Sequence, residues 1–265
     1  MSPILSALLP SFFLLNIWLE SISSIAVPSH INQHEVYCKT THFPVLMYHH
    51  IREYSWLKDV AAKNLSVSPL EFKKQLDYLE QNWYKTITTA DIKNDYVPCG
   101  SVMLTFDDGY DNVSSTALPL MQERWFRWIA SIIIQKMDEE GYMSGVNIRT
   151  LQQHNWEIAS HTWNHPILTV LPVNAIPFQI YDSKKSLENW FHTKINTFVY
   201  PGWYYWPETL RFTEQAWYKY AFTTRFGEAD IWWKNLELRR IDITPGTTPE
   251  KLGELLRKAK ETTIQ

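Results

Sequence analysis

SVMLTFDDGY, residues 101–110, is the stretch of sequence that decides the fold of this chain. Its first six residues, Ser101 to Phe106, form a short apolar run of the kind that makes a buried strand. Two aspartates and a glycine follow at once, although a hydrophobic core needs no such residues. The stretch therefore predicts a buried strand that ends in a polar turn, Asp107-Asp108-Gly109.

The rest of the chain alternates similar apolar runs with segments of helical periodicity. Further strands are predicted at 43–48, 84–87, 129–134, 157–160, 197–200 and 220–224. Helices are predicted at 69–81, 114–123, 147–154, 174–190 and 207–215, and a last one begins near Thr248-Pro249. Strands that alternate with helices indicate a parallel α/β fold. We expect a distorted (β/α) barrel of about seven parallel strands.

Composition and charge limit the functions that this chain can have. It has 265 residues, 45% hydrophobic and 20% charged, which suits a globular domain and excludes a disordered or fibrous protein. The net charge of −3 lacks the basic surplus of a nucleic-acid-binding protein. The two cysteines, Cys38 and Cys99, either pair, as cysteines in exported proteins do, or stay as separate thiols.

The amino-terminal residues predict export. Ile4 to Leu19 form an apolar run shorter than the roughly 20 residues that span a bilayer, and the small-x-small pattern Ser24-Ile25-Ala26 follows. We expect a signal peptide at 1–26, with an uncleaved anchor as the alternative, a polar linker at 27–42 and one catalytic domain at 43–265. The protein is then secreted or located in the cell envelope, with membrane contact only through this first segment.

Four predicted strands end in polar residues, at His49, Asp107-Asp108, His161 and Gly202. In a parallel barrel the carboxyl ends of the strands meet at one rim, where the active site lies. We therefore expect these residues to lie close together.

Asp108, His161 and His165 then make a set of two histidines and one carboxylate. His161 and His165 are four residues apart, so one helical turn brings them together. Such a set suits Zn²⁺ or another divalent transition metal with positions left open for water and substrate. Asp107 points away from Asp108, because neighbours on an extended chain face opposite ways, and it is left to accept a proton.

Three motifs carry a resemblance to a known family: Thr105-Phe106-Asp107-Asp108-Gly109-Tyr110, Ser160-His161-Thr162-Trp163-Asn164-His165-Pro166 and Phe198-Val199-Tyr200-Pro201-Gly202. Over about residues 43–245 the sequence resembles the polysaccharide deacetylases of carbohydrate esterase family 4, the nodulation-type deacetylase domain. The opening Val45-Leu46-Met47-Tyr48-His49-His50-Ile51 and the late Leu238-Arg239-Arg240-Ile241 resemble the subgroup that deacetylates poly-β-1,6-N-acetylglucosamine and related exopolysaccharides.

The resemblance implies a role for most of these residues. Asp107 would be the general base and Gly202 a backbone donor to the oxyanion, with Tyr200 and Pro201 beside the substrate. The metal ligands would be Asp108, His161 and His165.

Two departures from the family pattern affect the remaining roles. The late Leu-x-His motif that usually supplies the general acid is absent, because no histidine follows His192. We therefore assign the acid to His49, which the exopolysaccharide subgroup offers from its first strand. The third motif usually begins with an arginine that orients the base, but Val199 occupies that position. Arg240 is expected to substitute, with Arg239 on the opposite strand face as its competitor.

These roles predict a Zn²⁺-dependent hydrolase that removes N-acetyl groups from an N-acetylhexosamine polymer such as poly-N-acetylglucosamine. One alternative is an O-acetyl esterase that acts on xylan or peptidoglycan with the same residues. The other is a catalytically silent polysaccharide-binding protein that kept the fold. The intact set of carboxylates and histidines argues against the silent protein, and the missing late histidine leaves it open.

Tryptophan and glycine occur in unusual numbers, with 13 Trp and only 8 Gly. Four tryptophans, Trp83, Trp125, Trp156 and Trp217, stand at or near predicted helix ends, where the left-handed conformation is common and glycine is the usual residue. Relatives in the family that this sequence resembles usually carry glycine at these junctions and at the position of Trp203.

Two explanations of these tryptophans stay open. Each indole can pack over its helix end as a hydrophobic cap. Alternatively, the source organism reads UGA as glycine, as some bacterial lineages do, and the natural protein has glycine at all five positions. Trp128, Trp232 and Trp233 are weaker candidates for the same replacement.

Overall fold

The parallel strands close into a barrel in the computed structural model, which describes residues 39–202 and 205–264. The wall consists of β1 (Val45–Tyr48), β2 (Ser101–Phe106), β3 (Ile129–Ile132), β4 (Glu157–Ser160), β5 (Thr197–Val199), β6 (Tyr220–Phe226) and β7 (Leu238–Asp242). Neighbours pair in the order β1-β7-β6-β5-β4-β3-β2, and β2 pairs back with β1. Every one of these pairings is parallel. The prediction of a seven-stranded (β/α) barrel is confirmed.

Helices connect the strands. The described residues include α1 (Val60–Asn64), α2 (Pro69–Gln81), α3 (Leu118–Gln122), α4 (Gly145–Gln153), α5 (Ser183–Phe191), α6 (Pro207–Gln215) and α7 (Pro249–Ile264). Short 3₁₀ turns lie at Thr89–Asp91, Ile134–Lys136, Leu168–Val170 and Val173–Ala175. Further short strands pair outside the barrel wall: Lys39–Thr40 with Val97–Pro98, His42–Phe43 with Ala229–Asp230, and His50–Ile51 with Ser66–Val67. Lys85–Ile87 pairs with the start of β2.

Two helices begin differently from the sequence prediction. The helix expected at 114–123 opens with a π-helical turn, Val113–Ala117, and the one expected at 174–190 opens with another, Phe178–Asp182. A proline lies close to each wide turn: Pro119 comes two residues after the first, and Pro177 directly precedes the second. Because proline has no N–H to donate, it removes one of the hydrogen bonds that keep a helix in the α register.

Helix α2 shows how local sequence determines both a helix end and its buried face. The Ser68 hydroxyl accepts a hydrogen bond from the Glu71 N–H at 3.2 Å, and the Glu71 carboxylate accepts one from the Ser68 N–H at 2.8 Å. This reciprocal pair satisfies two backbone donors that the first turn would otherwise leave unpaired. Phe72 lies on the buried face and packs edge-on against Tyr48 of β1 and Phe106 of β2.

The amino-terminal predictions lie mostly outside the described residues. The signal segment, most of the linker and Cys38 belong to that part of the chain, whereas Cys99 is disulfide-bonded. Residues 39, 40 and 42, at the end of the expected linker, take part in the short strands described above. Among the described residues, no helix combines the length and apolar character needed to cross a membrane.

The structure corrects two of the proposed tryptophan replacements. Trp83, Trp125 and Trp217 have φ angles of 60°, 57° and 60°, in the left-handed region, but at the fourth junction it is Asn155 that adopts φ 60°. Trp156, one residue later, is buried and stacks on Trp128 with 3.4 Å between ring centroids. Both rings belong to the core, so neither marks a position that requires glycine. Trp203 lies outside the described residues.

Candidate active site

The polar residues predicted to converge do lie at one rim of the barrel. Asp107 and Asp108 follow β2, and His161 follows β4. His49 comes directly after β1, and Gly202 lies three residues beyond β5. Because all seven strands run in the same direction, their carboxyl ends share one face of the barrel.

Asp108, His161 and His165 form a compact donor set. Their ligand atoms all lie within 4.8 Å of one another. Asp108 Oδ1 is 3.3 Å from His161 Nε2 and 3.4 Å from His165 Nε2. Asp108 and His161 are buried, whereas the side chain of His165 is 40% exposed. The set is therefore closed from the barrel side and open towards solvent.

The hydrogen bonds around this set fit a bound cation. His161 Nδ1 lies 2.8 Å from the Val199 carbonyl oxygen, which can only accept, so Nδ1 carries the proton. In the neutral ring, Nε2 then presents a lone pair to Asp108 Oδ1, a buried atom that has no hydrogen-bond partner among the described residues. Two acceptors that face each other at this distance are satisfied by a metal ion between them. Nitrogen and carboxylate donors of this kind suit Zn²⁺.

The backbone is strained where it presents these ligands. Asp108 has φ 71°, Thr162 has φ 69° and His165 has φ 58°, all in the left-handed region. Such angles are costly for a β-branched residue such as Thr162. The Thr162 hydroxyl accepts a hydrogen bond from the His165 N–H at 2.9 Å, which holds the turn between the two histidines. Strained conformations of this type persist where the surrounding structure enforces them, and they concentrate at functional sites.

Asp107 forms a bidentate ion pair with Arg240 inside the barrel. Arg240 Nη1 donates to Asp107 Oδ1 at 2.9 Å, and Nη2 donates to Oδ2 at 2.8 Å. The Ser131 hydroxyl donates to Oδ1 at 2.9 Å. Burial opposes the charged carboxylate, but the Arg240 guanidinium outweighs it and lowers the pKa of Asp107 well below its usual range. Asp107 is therefore ionised at neutral pH and held in one orientation.

The tertiary structure separates the two arginines that the sequence left in competition. The Arg240 side chain is fully buried and also donates to the Thr223 carbonyl oxygen and the Thr105 hydroxyl. Arg239, its neighbour on β7, lies on the other face of the strand and packs over Gly227. Alternation along an extended strand sends one of two adjacent side chains inward, and here it is Arg240.

The remaining predicted residues lie around this centre. His49 is half-buried and close enough for its charge to act on Asp107, Asp108 and His165. Gly202 has φ 68°, and its carbonyl oxygen accepts a hydrogen bond from the Thr224 hydroxyl at 3.2 Å. Tyr200 is buried, and its hydroxyl donates to Thr213 rather than towards the donor set. A contact between this residue and a substrate would therefore use its backbone.

Sequence reasoning missed the support that Asn112 and His50 give to the site. Asn112 bonds to the residues directly after His49, and His50 is buried with its ring stacked on Tyr110 at 3.5 Å. Burial, with the nearby charges of Arg52 and His49, lowers the pKa of His50 to about 3, so its ring is neutral. The only signal in the sequence was the closeness of Tyr110 and Asn112 to Asp108, which does not reveal a partner some 60 residues away.

We predict that Arg240→Gln lowers the free energy of unfolding at pH 7 by about 3–5 kcal/mol, because Asp107 is left as a buried charge without its partner. The pKa of Asp107 in the folded protein lies below its unfolded value of about 4. The ion pair therefore contributes stability at neutral pH that is lost as the pH falls below about 4, and the difference between wild type and variant should narrow there. Urea unfolding at pH 7 and at pH 3 measures both effects. Arg239→Gln is the matched control and should cost less than about 1 kcal/mol; equal losses in the two variants would contradict the assignment.

Comparison with known proteins identifies the family. Residues 94–221 match the family model described as polysaccharide deacetylase. Over 227 residues the chain is 27% identical to YxkH of Bacillus subtilis (strain 168), which is provisionally named a polysaccharide deacetylase. The match covers 84% of this chain and 78% of YxkH. It is also 27% identical over 137 residues to the poly-beta-1,6-N-acetyl-D-glucosamine N-deacetylase of Escherichia coli (strain K12), covering 42% of this chain and 20% of that protein.

A solved structure agrees with this family. Streptococcus pyogenes deacetylase PplD in complex with acetate superposes with a TM-score of 0.76 and 26% identity, covering 81% of this chain and 98% of that chain. The sequence match and the closed parallel barrel agree with each other. The chain therefore carries a hydrolase domain that belongs to the polysaccharide deacetylases of carbohydrate esterase family 4.

Proposed function

We propose that this deacetylase uses a bound divalent metal, Zn²⁺ by preference, to remove N-acetyl groups from a polymer of N-acetylhexosamine. The observation that carries the proposal is the donor set of Asp108, His161 and His165 next to the buried Asp107–Arg240 pair. A metal site beside an ionised, oriented carboxylate is the arrangement that hydrolysis of an acetamide requires. When bound, the metal would lower the pKa of water and polarise the acetamide carbonyl.

In this proposal Asp107 is the general base. Its Oδ1 already accepts hydrogen bonds from Arg240 and Ser131, whereas Oδ2 accepts one from Arg240 and keeps further lone-pair capacity. Asp107 takes the proton of the water that adds to the acetamide carbon. Arg240 keeps the carboxylate aimed at that water without competing for the proton, since a guanidinium stays charged.

The breakdown of the adduct requires an acid. The bond between carbon and nitrogen breaks, the electron pair goes to nitrogen, and the amine that leaves takes a proton while acetate is released. We assign that proton to His49, which stands at the same rim after β1, because an imidazole can donate near neutral pH. The Gly202 N–H would stabilise the negative charge that develops on the carbonyl oxygen.

Two comparisons support deacetylation, and one of them supports an N-acetylated polysaccharide as the substrate. The Escherichia coli relative acts, by its name, on poly-β-1,6-N-acetyl-D-glucosamine, and the Streptococcus pyogenes structure contains acetate, which is the other product of this reaction. We also infer that the protein acts outside the cytoplasm, where such polymers are deposited. The apolar segment Ile4 to Leu19 with the cleavage pattern at Ser24-Ile25-Ala26 supports export.

The decisive measurement is acetate release from N-acetylglucosamine oligosaccharides and from acetylated xylan, each with and without a chelator. We expect release from the N-acetylated oligosaccharide that the chelator abolishes and added Zn²⁺ restores. Asp107→Asn should bind Zn²⁺ but lose nearly all turnover, whereas His161→Ala should lose both. Release from xylan alone would favour the O-acetyl esterase, and no release from either would favour a silent binding protein. Full activity of Asp107→Asn would show that another group is the base.

We predict that His49→Ala lowers kcat by roughly 10²–10⁴-fold, the usual contribution of general acid–base catalysis. KM should change little, because the residue acts on the bond that breaks rather than on binding. His154→Ala, a histidine whose side chain bonds to Gln122 on the surface, is the matched control and should leave the rate unchanged. An effect of His49→Ala on KM alone would make His49 a binding residue instead of the acid.

A further inference from the structure

We infer that Asn112 is a positioning residue that locks the segment carrying His49 to the segment carrying Asp108. The inference rests on the proposed function, because it concerns the same site. His49 follows the last residue of β1, and the next two residues pair with Ser66–Val67, whereas Asp108 lies in the turn after β2. A side-chain link between these two segments contributes to how the acid and the metal site face each other.

The Asn112 side chain uses both of its ends for this link. Its Oδ1 accepts a hydrogen bond from the Ile51 N–H at 2.8 Å, and its Nδ2 lies 2.9 Å from His50 Nδ1. A backbone N–H can only donate, so the carbonyl end of the amide must face Ile51 and the NH₂ end must face the ring. Nδ2 then donates to His50 Nδ1, and the neutral ring carries its proton on Nε2.

The link continues from His50 to Asp108. The His50 ring is buried and lies face to face with the Tyr110 ring at 3.5 Å and 22°. Tyr110 also packs on Tyr142 at 5.0 Å and interacts with the Asp108 carboxylate. Because Asn112 fixes the rotation of the His50 ring, it fixes the surface on which Tyr110 rests. Residues that contact a metal ligand without touching the metal typically contribute 10–100-fold to metal affinity or activity.

The test compares Zn²⁺ affinity, measured by competition with a chelator and without substrate, in three variants. Asn112→Ala should weaken Zn²⁺ binding by about 10–100-fold and lower kcat more than it changes KM. Asn112→Asp keeps the acceptor for Ile51 but loses the donor to His50, so its affinity should lie between those of wild type and Asn112→Ala. Asn82→Ala removes a side-chain bond at the end of α2, near the amino end of β2 rather than its carboxyl end, and should bind Zn²⁺ like wild type even if it is less stable.

Two outcomes overturn the inference in distinguishable ways. If Asn112→Ala and Asn112→Asp bind Zn²⁺ and turn over like the active wild type, Asn112 has no positioning role and the proposed function stands. If wild type itself neither binds Zn²⁺ nor releases acetate, the proposed function and this inference fail together.

A separate observation, the backbone conformation of three tryptophans, carries a second inference. We propose that the natural protein has glycine in place of Trp83, Trp125 and Trp217, because their codons are UGA and the source reads UGA as glycine. Trp83 and Trp217 stand one residue beyond the caps of α2 and α6, and Trp125 stands two residues beyond the cap of α3. All three have φ angles of 57–60°. A side chain with a Cβ costs roughly ten-fold or more in equilibrium terms in this conformation, and glycine costs nothing.

The hydrogen bonds at the three junctions are those of a Schellman motif. At the end of α2 the Trp83 N–H donates to the Glu80 carbonyl and the Tyr84 N–H to the Leu79 carbonyl, both at 3.0 Å. Trp125 with Phe126, and Trp217 with Tyr218, repeat both bonds. This motif requires a left-handed residue at the position of each tryptophan, and glycine is its usual occupant.

The alternative, that each indole caps its helix by packing, does not fit the exposure of these side chains. Trp83, Trp125 and Trp217 are 87%, 92% and 82% exposed. The aromatic residue that seals the junction is the next one along, such as Phe126 and Tyr218, which are buried. The end of α4 shows the same motif with Asn155 in the left-handed position and buried Trp156 as the seal, so an indole is not needed at the strained position.

Two measurements test this second inference. The codons decide it directly: UGA at positions 83, 125 and 217 supports it, and UGG at these positions overturns it. In the recombinant protein, replacing all three tryptophans by glycine should raise Tm by about 5 °C or more above the matched triple alanine variant. Alanine also removes the exposed indoles but keeps the Cβ, so a triple glycine variant no more stable than the alanine one overturns the conformational argument. Trp233→Gly, at an equally exposed position without a positive φ, should give no such gain.

Discussion

The ion pair between Arg240 and Asp107 is the interaction on which the site depends. The Arg240 guanidinium connects three strands inside the barrel. From β7 it bonds to Asp107 after β2, to Thr105 within β2 and to the Thr223 carbonyl of β6. A buried charge of either sign is unfavourable without its partner. The pair therefore couples the closure of the barrel to the orientation of the carboxylate, and neither can change alone.

The barrel also holds strained backbone in place at its rim. Asp108, Thr162 and His165 adopt left-handed angles, and the two turns they belong to bring carboxylate and imidazole atoms to within 4.8 Å. Such turns would relax if the strands beneath them could move. The parallel ladder from β2 through β3 to β4 prevents this, because it fixes the distance between the two strand ends that carry the ligands.

Residues with left-handed φ angles at the ends of three helices have a different explanation from those at the rim. At the rim, the strained residues are small or polar and each contributes a group to the donor set or its turn. At three helix ends, the strained residues are tryptophans whose side chains are exposed to solvent. At the rim, the left-handed angle is thus explained by the chemistry of the site. At the three helix ends, it occurs in tryptophan, a residue type that this conformation does not favour.

Helix starts and the polar strand ends were predictable because they depend on neighbours in sequence. The capping pair of Ser68 and Glu71 is local, and so is the change from apolar strand to Asp107-Asp108. The π-helical openings of α3 and α5 were not predicted from periodicity, because periodicity locates a helix but not the hydrogen-bond register of its first turn. The left-handed position predicted at Trp156 was wrong by one residue, because the sequence pattern locates a helix end but not which residue there adopts the left-handed conformation.

By itself, the sequence determined the alternation of strands and helices, the barrel class, and the residue types that meet at the rim. Apolar periodicity and short polar motifs are local properties, and they survive any detail of packing. Only the tertiary structure decided that Arg240 rather than Arg239 faces Asp107, and that Asn112 joins the ends of β1 and β2. These choices depend on strand register and on contacts between residues far apart in the chain, which no local pattern encodes.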